Sequence, residues 1–212
     1  MPLTEADIEG EVLEWFRSAW DPDLPLLEWR TCLLESGWAV PSWATEWFGK
    51  DMPHWVDRIA HGAIRRAGGV TLPLGVGASL AAPTLYEHAS DDLRRRVLGP
   101  ALTGEHTWCQ LFSEPGAGSD LAGLKATATL DGETWVINGQ KVWNTSAHHA
   151  DLAILVARTD WEAVKHQGIT YFVLDMRQAG VEVRPIEQMN YRNSFNEVFL
   201  TDAEIPAENV VG

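Results

Sequence analysis

One short stretch combines hydroxyl side chains with an unusually bare backbone. It reads Gln110-Leu111-Phe112-Ser113-Glu114-Pro115-Gly116-Ala117-Gly118-Ser119-Asp120. Glycine lacks a Cβ, so the backbone between Ser113 and Ser119 can take positive φ values and expose its N–H groups to a bound group. A flat, electron-accepting ring with carbonyls and ring nitrogens needs several such donors, held still. A tight surface turn between two strands would explain the same stretch equally well.

A second stretch lies downstream and reads Asn138-Gly139-Gln140-Lys141-Val142-Trp143-Asn144-Thr145-Ser146. Asn-Gly predicts a hairpin turn, because both central residues of a type I′ turn need positive φ. In the strand that follows, Trp143 and Thr145 are two residues apart and therefore share a face. An indole can cover the surface of a flat heteroaromatic ring while a hydroxyl reaches its edge. A strand tryptophan alone is more often a core residue, so it is the two stretches together that favour a ring-binding site.

Helical spacing of apolar residues dominates the first hundred positions. Thr4 and Asp7 approximate a capping box, which predicts the start of a helix that ends at Asp21-Pro22. Four more helices are predicted, over about 25–36, from Pro53 to Gly68-Gly69, over 76–88 with an interruption at Pro83, and from 91 or 92 to 98 before Gly99-Pro100.

Beyond Gly104 the pattern changes to short alternating segments, with Asp131-Gly132 as a hairpin turn. Strands are predicted over 124–130, 134–137, 151–158, 168–175, 181–186 and 197–200. Successive strands without helices between them indicate an antiparallel sandwich or barrel. The predicted fold class is therefore α+β, with an N-terminal α-helical domain over 1–104 and an antiparallel β-sandwich or barrel domain over 105–212.

Composition narrows the classes of partner. A formal net charge of −14 argues against nucleic acid, which needs a basic footprint. No apolar run reaches the roughly 18 residues of a membrane span, so no membrane partner is expected. The acidic N-terminus does not resemble a signal peptide, and the two cysteines, Cys32 and Cys109, are too few for a disulfide framework. A cytoplasmic location is the expectation, and any phosphate-bearing coenzyme would need a locally basic site.

Three other motifs favour ordinary structural explanations. Gly75-Val76-Gly77 lacks the third glycine and the βαβ context of a dinucleotide fingerprint, so a closely packed small-residue helix is favoured. His148 and His149 are adjacent, so in a strand they would point to opposite faces; a solvated loop is favoured over a metal site. Arg94-Arg95-Arg96 lies near a helix end, where cations suit the dipole. A contact to coenzyme phosphates is the alternative for that run.

The two central stretches resemble those of the acyl-CoA dehydrogenase family. Later segments fit as well, namely Gly168-Ile169-Thr170-Tyr171-Phe172-Val173-Leu174-Asp175 and Phe195-Asn196-Glu197-Val198-Phe199-Leu200-Thr201-Asp202. The resemblance extends from about residue 20 to the end of the sequence. It implies that the chain has the family's N-terminal helical and middle β domains, with FAD as cofactor. The implied reaction is α,β-dehydrogenation of an acyl-CoA thioester, in which a carboxylate removes an α proton while hydride leaves the β carbon for flavin N5.

The same resemblance implies a set of cofactor-contacting positions. They are Gln110, Leu111, Phe112, Ser113, Ser119, Trp143, Asn144 and Thr145. Gln110, Phe112 and Ser113 would line the flavin edge. Trp143 would cover the face of the ring and Thr145 would reach toward N5. Ser119 would contact the phosphate side of the flavin or the pantetheine arm of the substrate, and no metal is expected.

The family also has a third domain, a bundle of long helices that follows the segment matching Ile205 to Gly212. The resemblance places the catalytic glutamate, part of the acyl pocket and contacts to the adenosine half of FAD in that bundle. No carboxylate here can be identified as the base, so no catalytic residue is expected in this chain. Glu114 is expected to support its turn.

The expectation is thus an enzyme half in a homo- or hetero-oligomer with a chain that supplies the bundle, served by an electron-transfer partner. A non-catalytic subunit or remnant, and a flavin monooxygenase or oxidase on the same scaffold, remain alternatives.

Overall fold

The fold is that of a computed structural model, which describes residues 3–212. These residues form two compact units. One, the helical unit, comprises the chain up to Leu74 together with 102–105, and the other, the β unit, comprises 75–101 together with 106–212. Helices come first and a mostly antiparallel sheet follows, which confirms the predicted α+β class. The division into folding domains at residue 104 stays a prediction.

The helical unit contains α1 (Glu5–Ala19), α2 (Leu26–Glu35) and α3 (Trp55–Arg66). The predicted capping box of α1 is present: Thr4 Oγ1 accepts a hydrogen bond from Asp7 N at 3.2 Å, and the Asp7 carboxylate accepts one from Thr4 N at 3.1 Å. This exchange satisfies two backbone donors that the first turn of a helix leaves without partners. No helix of residues 3–212 has the length and apolarity that a membrane crossing requires.

Aromatic side chains fill the centre of the helical unit. Trp29 is 1% exposed, and its ring lies 5.7 Å from that of Trp15 and 4.5 Å from that of Trp20. Its Nε1–H donates to Val70 O at 2.7 Å, so the polar atom of the buried indole is satisfied. Trp29 is therefore a core residue, and the half-buried Trp15 and Trp20 pack against it.

Two more helices follow, α4 (Ala82–His88) and α5 (Asp91–Thr103). A π-helical turn over Gly77–Ala81 leads directly into α4, whose first turn contains Pro83. Proline is tolerated there because the first turn needs no N–H donor. The predicted end of α5 at residue 98 is wrong, since the helix continues through Pro100 and stops before Gly104. Gly104 has a φ of 81°, the left-handed conformation that commonly ends helices.

The β unit is built on one eight-stranded sheet. Its strands are β1 (Trp108–Leu111), β2 (Thr127–Asp131), β3 (Thr134–Thr145), β4 (Leu152–Arg158), β5 (Ile169–Asp175), β6 (Val181–Ile186), β7 (Phe195–Pro206) and β8 (Val210–Val211). They pair in the order β6-β7-β3-β2-β4-β5-β8, with β1 beside β4, and this path does not close on itself. Neighbours are antiparallel except that β4 runs parallel to both β1 and β2. The ends of β1 and β3 carry the two stretches of interest.

The two predicted hairpin turns have different outcomes. Asp131-Gly132 does connect β2 to β3, with Gly132 at a φ of 61°. Asn138-Gly139 does not form a turn; it lies inside β3 at a shift in the register with β7. The Asn138 side chain exchanges hydrogen bonds with Asp202 across that shift. A Cβ on Gly139 would lie 2.7 Å from the Cβ of Ala126. Close packing against the segment just before β2 therefore explains the glycine.

Candidate functional site

The two stretches lie side by side in the β unit. Asn144 Nδ2 donates to Gln110 O at 2.7 Å, and Val142 N donates to Ser113 O at 2.9 Å. These bonds fasten the end of β1 and the turn after it to the end of β3. We call residues 110–113 and 142–145 the cradle. Ser113, Trp143 and Thr145, predicted from separate stretches, all belong to it.

The backbone of the cradle presents a free donor at Ser113. The carbonyl of Phe112 accepts a hydrogen bond from Lys141 Nζ at 3.0 Å. Because a trans peptide is planar, the N–H of Ser113 points the opposite way, away from Lys141. Neither this N–H nor the Ser113 hydroxyl has a partner among residues 3–212. A half-buried donor pair without protein acceptors is suited to a ligand that brings its own acceptors.

Trp143 occupies a bulge that alternation along the strand did not predict. The register shifts between the Val142–Glu197 and Asn144–Asn196 pairs, which leaves Trp143 between them with a φ of 65°. The left-handed region costs a residue with a Cβ about 1 kcal/mol, and such strain is concentrated at functional sites. The indole is 61% exposed and touches Phe195 edge to face at 6.2 Å. Trp143 is therefore not a core residue.

Thr145 completes the exposed side of the cradle. Trp143 and Thr145 are both exposed, while Asn144 between them is 3% exposed. The hydroxyl of Thr145 has no partner among residues 3–212. Ser146, at a φ of 56°, then turns the chain away and donates its N–H to Ser194 O at 2.8 Å. An exposed aromatic ring and a free hydroxyl thus lie two residues apart at the end of β3, while the shared face inferred from strand alternation stays a prediction.

The other predicted positions differ in what they can offer a ligand. The Leu111 side chain is completely buried in the sheet core, so only its backbone belongs to the cradle. Asn144 Nδ2 is used by Gln110 O, whereas its buried Oδ1 has no partner in the described chain. Gln110 and Phe112 are half-buried, and Phe112 contacts Tyr171 edge to face at 6.0 Å. Asn144 therefore joins the two stretches more clearly than it reaches outward.

Ser119 lies on an exposed loop after a tight turn. Glu114 and Ala117 exchange backbone hydrogen bonds of 2.9 and 3.0 Å, which closes the turn through Pro115 and Gly116. The Ser119 side chain is exposed and has no partner among the described residues. Its neighbour Asp120 pairs with Lys165 at 2.6 Å on the surface. The loop thus offers a free hydroxyl beyond the cradle itself.

A buried ion pair behind the cradle was not predicted. Lys141 is fully buried, and its Nζ lies 2.9 Å from Glu114 Oε1. Glu114 also accepts hydrogen bonds from Lys125 N at 2.6 Å and Ala126 N at 2.9 Å, so it supports the turn as expected. Burial lowers the pKa of Lys141 from its ordinary value, and the hydrogen bond and charge of Glu114 oppose that shift. Only the contact with a carboxylate 27 residues away identifies this lysine as a site residue.

The remaining motifs are engaged in the structure. His148 lies in a short turn, and its Nδ1 is 2.9 Å from Asn196 Oδ1. Residues 3–212 hold no group of three side chains suited to a metal ion. Arg94 and Arg95 pair with Asp91 and Asp92, and Arg96 pairs with Glu208 at 3.2 Å. These arginines therefore have carboxylate partners within the protein.

Comparison with known proteins gives the same family at each level. Residues 109–203 match the model of the acyl-CoA dehydrogenase middle domain. Over 132 residues the chain is 48% identical to acyl-CoA dehydrogenase FadE34 of Mycobacterium tuberculosis, a match covering 62% of this chain and 19% of that protein. Two solved structures, each 26% identical, superpose on nearly all of the chain: the Tcur3481-Tcur3483 steroid ACAD G363A variant, covering 98% with a TM-score of 0.72, and the ChsE4-ChsE5 complex of M. tuberculosis, covering 100% with a TM-score of 0.71.

The chain spans only part of the length of the proteins that it matches. The chain covers 57% of each of those two structures, and its matched part covers about a fifth of FadE34. The matched region nevertheless contains both stretches of the cradle, and the fold agrees along the helices and the sheet. By sequence, residues 109–203 are an acyl-CoA dehydrogenase middle domain, and the relatives and the fold agree with that family.

Proposed function

We propose that the cradle holds the isoalloxazine ring of FAD in an enzyme that catalyses α,β-dehydrogenation of an acyl-CoA thioester. The observation that carries this proposal is the exposed indole of Trp143 on a strained backbone, together with donors at Ser113 and Thr145 that have no partner among residues 3–212. A flat ring with acceptors along its edge fits such a surface. The indole of Trp143 can cover the face of the ring, and the donors of Ser113 and Thr145 can bind the acceptors on its edge. FAD, when bound, supplies the hydride acceptor.

The residues of this chain position and shield the ring. Trp143 covers one face and keeps water from it. Ser113 donates from its N–H and hydroxyl to acceptors along the ring edge, and Thr145 donates its hydroxyl toward N5. Donors fixed by the fold need no reorganisation when negative charge develops, which is where preorganised hydrogen bonds contribute most. Ser119 contacts the phosphate side of the flavin or the pantetheine arm of the substrate.

The base that removes the α proton comes from outside residues 3–212. Glu114 is the carboxylate nearest in sequence to the cradle, but its oxygens accept three hydrogen bonds and it is only 8% exposed. These three contacts hold the carboxylate in its turn, so it is not available to a substrate. We propose that a helical bundle supplies the catalytic glutamate, from elsewhere on the same polypeptide or from a partner chain.

Similarity to the two-component ChsE4-ChsE5 complex supports a hetero-oligomer. An electron-transfer partner would then reoxidise the flavin. A non-catalytic subunit of such an assembly is the second candidate function. The three hydrogen bonds that hold Glu114 within the protein support this function as well as they support the first. The two candidates differ in whether flavin held at this cradle becomes reduced by substrate.

A matched pair of tryptophans tests flavin binding. Trp143 and Trp161 are 61% and 58% exposed, but Trp161 lies on the loop between β4 and β5, where its ring centre is 5.2 Å from the guanidinium of Arg158. Replacing Trp143 with Ala should weaken FAD binding about tenfold or more, the effect of losing a stacking partner worth at least about 1.4 kcal/mol. Replacing Trp161 with Ala should change it less than twofold. Fluorescence quenching of FAD measures both, and equal effects would contradict the stacking role.

Reduction of the flavin separates the two candidate functions. The chain, combined with a family chain that carries the helical bundle, should bind FAD and lose the visible absorbance of oxidised flavin when an acyl-CoA is added anaerobically. Retention of that absorbance with short, branched, aromatic and polycyclic thioesters would favour the non-catalytic subunit.

A further inference from the structure

The buried cation behind the cradle touches the backbone that the flavin would contact. Lys141 Nζ donates to the carbonyl of Phe112 at 3.0 Å and to Glu114 Oε1 at 2.9 Å. The lysine is on β3, two residues before Trp143, and is completely buried. A lysine in such a place is uncommon unless a partner compensates its charge, and Glu114 is that partner.

The pattern of hydrogen bonds around Glu114 suits a carboxylate. Three N–H donors point at its two oxygens, from the backbone of Lys125, the backbone of Ala126 and the side chain of Lys141. A protonated carboxyl would need an acceptor for its O–H, and the backbone N–H groups of Lys125 and Ala126 cannot provide one. An ionised carboxylate accepts all three bonds. The pair is therefore an ammonium and a carboxylate fixed behind the cradle.

The ammonium acts on one particular peptide group. It binds the carbonyl end of the Phe112–Ser113 peptide, whose N–H end points away from Lys141 and has no protein acceptor. A cation at the carbonyl oxygen polarises the peptide and makes its N–H a stronger donor, as in chains of hydrogen bonds at low dielectric. The effect is directed at whatever acceptor lies in the cradle.

We propose that Lys141, held by Glu114, is a positioning residue that orients the Phe112–Ser113 peptide and strengthens the Ser113 N–H as a donor to the bound flavin. This inference rests on the proposed function. No bond to Lys141 forms or breaks in the reaction, and the lysine neither gives nor takes a proton. Reduced flavin would carry more negative charge along its ring edge than oxidised flavin, so the polarised Ser113 donor would stabilise the reduced form more. Lys141 should therefore raise the reduction potential of the bound flavin.

A purely structural role for the ion pair makes a different prediction. Removal of one partner of a buried pair destabilises a protein by leaving the other charge uncompensated, whereas neutral replacement of both partners is often tolerated. If the pair only supports the fold, a variant with both charges removed should recover stability and flavin properties together. If Lys141 polarises the peptide, stability recovers and the flavin properties do not.

The test compares Lys141→Met, Glu114→Gln and the double variant, with Arg184→Met as control. Arg184 forms an exposed pair with Glu182 in the same unit, at 2.8 Å with side chains 58% and 60% exposed. Lys125 N and Ala126 N bond to different oxygens of Glu114, so in the double variant the single amide oxygen of Gln keeps one of these two bonds and the turn keeps part of its support. Each protein, in complex with the bundle-bearing chain, is measured for thermal unfolding, FAD affinity by fluorescence quenching, and flavin midpoint potential by dye-coupled reduction.

We expect Lys141→Met to lower thermal stability and the double variant to regain part of it. In the double variant FAD affinity should stay about tenfold below that of the parent, as the loss of a charge-assisted donor predicts, and the potential should stay lower. Arg184→Met should match the parent in all three. A double variant with parental affinity and potential would overturn the inference while leaving flavin binding intact. A parent protein that binds no FAD would instead overturn the proposed function, and this inference with it.

Discussion

Two tryptophans show how differently the two units use the same residue. Trp29 in the helical unit is 1% exposed, is surrounded by aromatic rings, and has its Nε1–H bonded to Val70 O. Trp143 in the β unit is 61% exposed and lies on a left-handed backbone. The first contributes to stability through burial, since a buried aromatic has large apolar area. The second is held where it contributes little to the fold, which is typical of a residue kept for binding.

The two units also differ in where they place residues with a positive φ. In the helical unit, Phe48 and Asp51 have φ values of 69° and 54°. The Asp51 carboxylate accepts hydrogen bonds from Thr45 N and Oγ1 at 3.1 and 2.5 Å, and Asp51 N donates to Trp43 O at 2.9 Å, so this turn compensates its strain locally. At Trp143 the bulge is braced by its neighbour, since Asn196 Nδ2 donates to Asn144 O at 2.8 Å and Asn144 Nδ2 donates to Gln110 O at 2.7 Å. The strained turn of the helical unit supports the chain itself, whereas the strained residue of the cradle carries an exposed indole.

The largest expected effect is in the aromatic core. Replacing Trp29 with Ala should reduce the free energy of unfolding by about 3–5 kcal/mol, because a large buried side chain is removed and a cavity remains. Replacing Trp143 with Ala should change it by less than about 1 kcal/mol, as expected for an exposed side chain. Urea denaturation followed by circular dichroism measures both changes. Similar losses for the two variants would remove the distinction between the core tryptophan and the cradle tryptophan.

The two cysteines sharpen the comparison at alkaline pH. Cys109, on β1, is fully buried, and burial raises the pKa of its thiol to about 12 from a reference value of 9.0. Between these values the unfolded chain loses the proton and the folded chain keeps it. The free energy of unfolding should therefore fall by about 1.4 kcal/mol per pH unit above pH 9, with no contribution from this thiol below that pH.

The variant Cys109→Ala separates the contribution of this thiol from those of other groups that titrate at high pH. Denaturation curves at pH 8, 9.5 and 10.5 should show a shallower pH dependence for Cys109→Ala than for the parent. Cys32→Ala, in the helical unit, serves as the control because Cys32 is partly exposed. Identical slopes for the parent and Cys109→Ala would contradict the burial of this thiol.

Local signals in the sequence predicted features that depend on neighbours in the chain. The capping box at Thr4 and Asp7 and the hairpin at Asp131-Gly132 formed as expected, because each is complete within a few residues. The pairing of the two cradle stretches also followed from the family resemblance. The prediction of a turn at Asn138-Gly139 failed because tertiary contacts decide it: the pair lies in a strand paired on both sides, and Gly139, at a φ of 154°, is at a register shift in that strand.

The ion pair behind the cradle illustrates the same limit for the site. A lysine between two strand residues reads as a solvated side chain, and only the fold brings it to Glu114 and the Phe112 carbonyl. The bulge at Trp143 was equally invisible, since its cause is the register between β3 and β7. The residue types that contact a flat ring could be predicted from the sequence, but the backbone strain and buried charge that hold them in position could not.

The smallest expected effect has the opposite sign to the others. Asparagine tolerates the left-handed region better than other residues with a Cβ, so Trp143→Asn should relieve strain and raise the free energy of unfolding by about 0.5–1 kcal/mol. Trp161→Asn is the control, because Trp161 has comparable exposure and does not have a positive φ. If Trp143→Asn were destabilising, the indole would contribute to the fold and the cradle would not differ from the aromatic core. A gain in stability together with weaker FAD binding would instead mean that the chain retains a strained backbone because it holds the indole against the ring.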